Sequence, residues 1–184
     1  MKKTTNIRAC ESQERVVNAF LMLLKTEKYC DISITQIVQE AKLSRKTFYR
    51  NFHDKADVLN HLSNLLFLEF RKKLKNISEL TNYKIIESYF SFWYDKREIL
   101  EIFYYNNLIY LIFEIHLEKI KLLYLELPCY TELPQNSYKN SVIIGSCFGM
   151  LMQWLKDGFT SSDEQTTSTY IEIMKGLGES FIFE

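Results

Sequence analysis

The chain is poor in glycine and proline, with 5 and 2 respectively among 184 residues. So few breakers exclude a collagen-like chain, a low-complexity linker and an all-β sandwich with its frequent turns. They favour long helices joined by few connections. Cysteine is also sparse: Cys10, Cys30, Cys129 and Cys147 form no CxxC pair, and His53, His61 and His116 add no zinc-like spacing. No metal or other cofactor is therefore expected. Scattered thiols in a chain of this size suit a reducing cytoplasm. No apolar signal-peptide core follows Met1-Lys2-Lys3, and the longest uncharged stretch, 140–155, contains Asn, Ser and Gln. It falls short of the ~20 apolar residues of a spanning helix, so a cytoplasmic protein without membrane association is expected. An excess of charge of either sign is missing too: 23 basic and 23 acidic side chains cancel. On its face that balance counts against nucleic-acid binding, which needs an excess of Lys and Arg.

What is present is a core and an uneven distribution of charge. The chain is 47% hydrophobic, 15% aromatic and 25% charged, which excludes intrinsic disorder. Residues 1–60 carry 11 Lys/Arg against 7 Asp/Glu, whereas residues 61–184 carry 12 against 16. The neutral total is a cancellation between a basic head and an acidic body.

Helical periodicity predicts a first helix over Glu11–Thr26, with Val16, Val17, Ala19, Phe20, Leu23 and Leu24 on its apolar face. Ser33 with Gln36 forms a capping box at the head of a short segment bearing Ile34, Ile37, Val38 and Ala41. After a connection of Lys42, Leu43 and Ser44, a third segment runs from Arg45 to Asn51. A fourth helix is predicted from near Asp54 to about Ile77. Further helices are predicted over about 83–96, 98–105, 108–126, 138–157 and 163–183, with Pro128 and Pro134 bracketing a loop. Gly158 is read as a helix stop and Ser161-x-x-Glu164 as a capping box.

The second and third segments make a helix-turn-helix candidate. Phe48 and Phe52, four apart, fall on one face as core anchors, leaving Arg45, Lys46, Thr47, Tyr49, Arg50 and Asn51 largely on other faces. Charged side chains on a helix are more often a solvated face than a binding face, and it is the register of the surrounding residues that favours the latter here. Arg or Lys can donate to guanine O6 and N7, and Asn can pair with adenine N6 and N7. Lys55, opening the next helix, is placed to hold a phosphate, and His53 lies beside it.

The stretch Ser33 to Lys55 resembles the DNA-binding signature of TetR/AcrR-family regulators, roughly T-x-x-x-I-A-x-x-A-G-V-S-x-x-T-x-Y-x-x-F-x-x-K. Ile37, Ala41, Ser44, Thr47, Tyr49, Phe52 and Lys55 match in register, while Lys42 stands where the family usually has Gly and Val38 where it has Ala. The resemblance implies an all-α fold: a three-helix DNA-binding head over residues 1–54 and a helical ligand-binding and dimerisation body over 55–184. It implies DNA contacts from Thr35, Ser44, Arg45, Lys46, Thr47, Tyr49, Arg50, Asn51, His53 and Lys55. If the Lys42 position is left-handed, a side chain there costs on the order of 1 kcal/mol.

The resemblance further implies an effector cavity in the body. Tyr89, Phe92, Trp93, Phe103, Tyr104, Tyr110 and Phe113 are its candidate lining, suited to a small apolar or aromatic molecule, although each is by default core. A homodimer is expected, because one such head reads only a few base pairs. Its candidate interface is the last two helices, with Gly145, Gly149, Met152, Trp154, Tyr170, Ile173 and Leu177. The expected function is a ligand-responsive repressor released from an operator in double-stranded DNA. The alternative is a regulator acting chiefly through a protein partner, co-activator-like, with little DNA binding of its own.

An enzyme is not expected. Gly145-Ser-Cys-Phe-Gly149 reads as G-x-C-x-G, which a cysteine-hydrolase elbow would share, but no histidine follows His116 to serve as its base.

Overall fold

Every fourth residue of one long segment, Val58, Leu62, Leu66, Phe70 and Leu74, is buried. That repeat keeps one stripe of a helix against apolar partners, and the segment is helical from Lys55 to Lys75. The computed structural model describes residues 2–111, 113, 114, 117, 119 and 137–176, apart from the side chains of 2–7 and 137–140. Eight helices are bounded among them: α1 (Lys2–Leu24), α2 (Ile34–Glu40), α3 (Arg45–Asn51), α4 (Lys55–Lys75), α5 (Asn82–Asp95), α6 (Arg97–Tyr105), α7 (Ser137–Lys156) and α8 (Asp163–Gly176). Residues 109–111, 113, 114, 117 and 119 are also helical, and no strand occurs among the described residues. The expected all-α class is what the structure shows. Helix α1 starts well before the predicted Glu11. Pro128, Pro134, Cys129 and His116 lie outside the described residues.

The chain divides into two units, Met1–Leu66 with Ile102–Ile109, and Phe67–Glu101 with Tyr110–Glu184. Where the sequence suggested a division at residues 54/55, the observed one falls within α4, and the end of α6 joins the N-terminal unit. In that unit α1, α2 and α3 pack on one another. Val16, Phe20 and Leu24 of α1, Ile37 of α2, Phe48 of α3 and Phe103 of α6 are all buried to 1% exposure or less. Truncating a fully buried phenylalanine such as Phe48 to alanine costs about 3–5 kcal/mol.

The second unit is built on α5 against α7 and α8. The Phe90 ring lies 6.2 Å from Trp154 and 5.6 Å from Tyr170. Tyr94 stacks on Trp154 at an interplanar angle of 9°, and the Trp154 indole N–H donates to the Ser161 carbonyl at 3.1 Å. Gly158, at φ 66, ends α7 in the left-handed conformation expected of a helix stop. The capping box before α8 is one residue later than predicted: Ser162 and Gln165 exchange the bonds, at 3.1 and 3.2 Å. Ser161 instead accepts the Trp154 N–H and pairs its hydroxyl with Thr166.

Candidate nucleic-acid interface

Helix α2 begins where Ser33 and Gln36 complete their capping box, at 2.8 and 3.3 Å. The Gln36 amide also donates to the Glu27 carboxylate at 2.6 Å, which ties α2 to the end of the α1 segment. After Glu40 the chain turns through Lys42, whose φ is 52. The Lys42 N–H donates to the Gln39 carbonyl at 3.0 Å and the Leu43 N–H to the Val38 carbonyl at 2.9 Å, which is a Schellman closure. Arg15 of α1 donates to the Ala41 and Lys42 carbonyls at 2.5 and 2.9 Å. The turn is thus fixed from both sides.

Ser44 caps α3, accepting the Thr47 N–H at 3.1 Å, and its hydroxyl lies 2.9 Å from that of Thr47. Phe48 and Phe52 are 0% and 3% exposed, with ring centroids 5.8 Å apart, and are the anchors the sequence suggested. They fix the roll of α3, so that Arg45, Lys46 and Arg50 are exposed, with no ion pair among the described residues. Tyr49 is 49% exposed, its ring set edge-on to Phe48 at 88°. Thr35 on α2 is exposed as well. The exposed side of α3 thus carries positive charge beside an aromatic hydroxyl.

Three of the residues expected to contact DNA also make bonds within the protein. The Asn51 amide donates to the Thr47 carbonyl at 2.8 Å, so one of its donors is held by its own helix. His53 is exposed, its main-chain N–H donates to the Asp57 carboxylate at 3.0 Å, and the Asp57 N–H donates to the Asp54 carboxylate at 2.8 Å at the start of α4. Lys55 was expected to hold a phosphate, but its ammonium donates to the carbonyls of Tyr29, Cys30 and Ile32 at 2.6, 3.0 and 2.9 Å. Its three protons are engaged within the protein. Burial, and then Asp54, raise the Tyr29 phenol above its usual value.

The same segment receives the end of α6. Lys28 donates to the Tyr105 carbonyl at 2.7 Å and sits 3.3 Å from the centroid of the Tyr105 ring. The buried Asn106 amide donates to the Leu24 carbonyl at 3.0 Å and accepts the Tyr29 N–H at 2.7 Å. Sequence reasoning missed Arg15, Lys28 and Asn106. Only Asn107, left-handed at φ 58 just after α6, left a readable sign, as a helix stop beside Asn106.

Of the seven aromatic residues suggested for an effector cavity, Phe92 and Trp93 are in ring contact at 5.3 Å, and Tyr89 and Phe92 both lie against Phe70. Phe103 and Tyr104 belong to the N-terminal unit, Phe103 as core and Tyr104 exposed. Phe92 and Trp93 are buried on α5, with Phe92 5.4 Å from Phe70, and Tyr89 lies 5.4 Å from Phe90. Tyr110 and Phe113 instead meet Phe148 of α7, Phe113 stacked at 3.9 Å.

The suggested interface residues divide likewise. Met152, Trp154 and Tyr170 are buried inside the protomer, which corrects their assignment to a surface. Gly145, Gly149 and Ile173 are exposed, and Leu177 lies outside the described residues. The G-x-C-x-G motif lies within α7, where burial pushes the Cys147 thiol up to about 12, against a smaller effect of its bond to Tyr170. A thiol so protonated is a poor nucleophile.

Among the described residues no three His, Cys, Asp or Glu side chains are grouped to hold a metal, and no helix is long and apolar enough to cross a membrane. No protein-family sequence model matches the chain. No curated protein matches it in sequence. Solved structures do match in fold. A TetR transcriptional regulator from Streptococcus agalactiae 2603V aligns at a TM-score of 0.67 and 15% identity, over 94% of this chain and 98% of that one. The fatty acid degradation regulator FadR from Bacillus halodurans aligns at 0.64 and 13%, over 88% and 93%. The dihydroxyacetone kinase operon activator DhaS aligns at 0.53 and 17%, over 93% and 98%. The chain has the all-α fold of TetR-type transcription regulators, with a helix-turn-helix at its N-terminal end.

Proposed function

We propose that the protein is a sequence-specific DNA-binding regulator of transcription that acts as a homodimer and leaves its operator when a small apolar or aromatic molecule binds the body. The observation that carries this reading is the outer surface of α3. Arg45, Lys46 and Arg50 are exposed and have no ion pair among the described residues, beside a half-exposed Tyr49, on a helix whose roll is set by Phe48 and Phe52. Cations kept free of partners suit release of counterions from phosphates and readout of guanine edges.

The dimer reading rests on the exposed Val142, Gly145 and Gly149 of α7 and Ile173 of α8. A Cβ built on either glycine meets nothing within 4 Å, so a second helix can approach closely there. A twofold dimer presents two heads to half-sites spaced about 34 Å or a multiple of it.

The test is fluorescence anisotropy with labelled duplex from immediately upstream of the coding sequence. Saturable, salt-dependent binding, lost in Arg45→Ala and Tyr49→Ala, supports the reading, and no binding by the folded wild-type protein overturns it. A second reading, activation of transcription rather than repression, is favoured by the likeness to the operon activator DhaS. A promoter-reporter assay separates it from repression by the sign of the response.

A further inference from the structure

We propose that Lys42, in the turn between α2 and α3, is a DNA-backbone contact that this chain adds to the helix-turn-helix surface. The inference rests on the DNA-binding reading above. It starts from a strained residue: Lys42 has φ 52, a conformation in which glycine is comfortable and a Cβ is crowded. Its main chain is fixed at three points. Its N–H donates to Gln39, the following N–H to Val38, and its carbonyl accepts from Arg15. The residue therefore cannot relax out of the left-handed region without breaking the turn.

The side chain returns nothing to the fold. It is exposed and has no hydrogen bond, ion pair or ring contact among the described residues. Glycine or asparagine would close the same turn at lower cost, so a lysine here breaks a local rule without a compensating contact. Strain retained without a structural return points to a use outside the folded chain.

Its position supplies that use. Lys42 lies two residues before the Ser44 cap and three before Arg45, at the mouth of the helix that carries the free cations. When the start of α3 enters a groove, the turn is carried towards the flanking sugar–phosphate chain. A flexible four-carbon stem ending in an ammonium then suits a phosphate rather than a base, since it delivers a point charge without planar geometry. Lys55, which the sequence suggested for a phosphate, is occupied by three carbonyls, and Lys42 takes on that role in a different place.

The test uses the full chain and two probes, the duplex from upstream of the coding sequence and a mixed-sequence duplex, titrated over a range of salt. Lys42→Asn keeps a residue that tolerates the left-handed turn and removes the charge. It is expected to weaken binding to both duplexes by about fivefold to tenfold at ~0.1 M salt, and to lower the salt slope by about one unit per head. Lys42→Arg is expected to restore both. Lys42→Gly is expected to lower affinity in the same way while raising Tm by about 2 °C, because the backbone strain is relieved. Opposite signs in Tm and affinity separate a lost contact from a damaged fold. Unchanged affinity and slope in Lys42→Asn, with Arg45→Ala still impaired, overturns the Lys42 contact alone. Absence of salt-dependent binding by the wild-type protein removes both the contact and the DNA-binding reading beneath it.

Discussion

The Lys55 ammonium lies 2.6 Å from the carbonyl oxygen of Tyr29 and 4.6 Å from the centroid of its ring. One cation thereby holds both the main chain and the aromatic face of a residue 26 positions earlier. With the Cys30 and Ile32 carbonyls it closes the whole connection between α1 and α2. Lys55→Met keeps the stem and removes the donors, leaving three carbonyls to partial solvation. A loss of about 2 kcal/mol is expected, seen as a fall in Tm of about 4–8 °C, with the salt slope of DNA binding unchanged. A variant that keeps its Tm but loses one unit of slope would return Lys55 to the phosphate contacts.

Asn106 is a buried amide with both ends used: its donor side meets the Leu24 and Ile102 carbonyls, and its oxygen meets the Tyr29 N–H. Asn106→Leu is close in size but leaves the Tyr29 N–H and the Leu24 carbonyl unsatisfied. The expected cost is about 2–4 kcal/mol, with faster hydrogen exchange at the Tyr29 amide. An unchanged exchange rate there would show that another group takes over the amide's role.

Cys147 ties stability to alkaline pH. Its folded-state value is raised from 9.0 to about 12, because burial disfavours the thiolate. The stabilising effect is full below the unfolded value and is lost as pH rises from about 9 towards 12. The difference in stability between wild type and Cys147→Val is therefore expected to shift in favour of the variant across that window and to be flat between pH 6 and 8. Denaturant titrations at stepped pH measure it, and a pH-independent difference would contradict the assignment. Ellman's reagent should also modify the exposed Cys10 and Cys30 in the native protein and reach Cys147 only on unfolding.

Gly149 offers a substitution that separates folding from association. A Cβ there meets nothing within 4 Å, so Gly149→Leu fits the protomer without a clash. If α7 and α8 pair across a twofold axis, the added side chain blocks close approach. The expected outcome is a monomer by light scattering, with a helical circular dichroism spectrum as strong as that of wild type. A persistent Gly149→Leu dimer places the interface elsewhere.

What could be read from the sequence was what is local. Ser33 reaches Gln36, and Ser44 reaches Thr47, across three residues, so both caps are visible in the order of side chains. Phe48 and Phe52 follow from one helical turn. The left-handed turn at Lys42 was suggested only by the family resemblance, which usually has glycine at that position, and its φ is 52. The Ser161 capping box slipped by one residue because Ser161-x-x-Glu164 and Ser162-x-x-Gln165 satisfy the same pattern, and the Trp154 indole decides between them. Long-range use of polar groups was not legible. Nothing in the order of residues announces that Asn106 will meet Leu24, 82 positions away, or that Lys55 will turn inward. Trp154 and Tyr170 were interface candidates because they lie on the last two helices, and the order of residues does not show that both rings lie against Phe90 of the same chain.

Helix α6 gives its first residues, Arg97–Glu101, to one unit and its last, Ile102–Tyr105, to the other. The helix-turn-helix unit is thus not a portable cassette. A fragment cut after Leu66 loses Phe103 from its core and leaves the Leu24 carbonyl and the Tyr29 amide without Asn106. Chimeras that graft the N-terminal segment onto a foreign body inherit the same gap, unless residues 102–109 travel with it. Any exchange of the C-terminal unit has to carry this short helical end along.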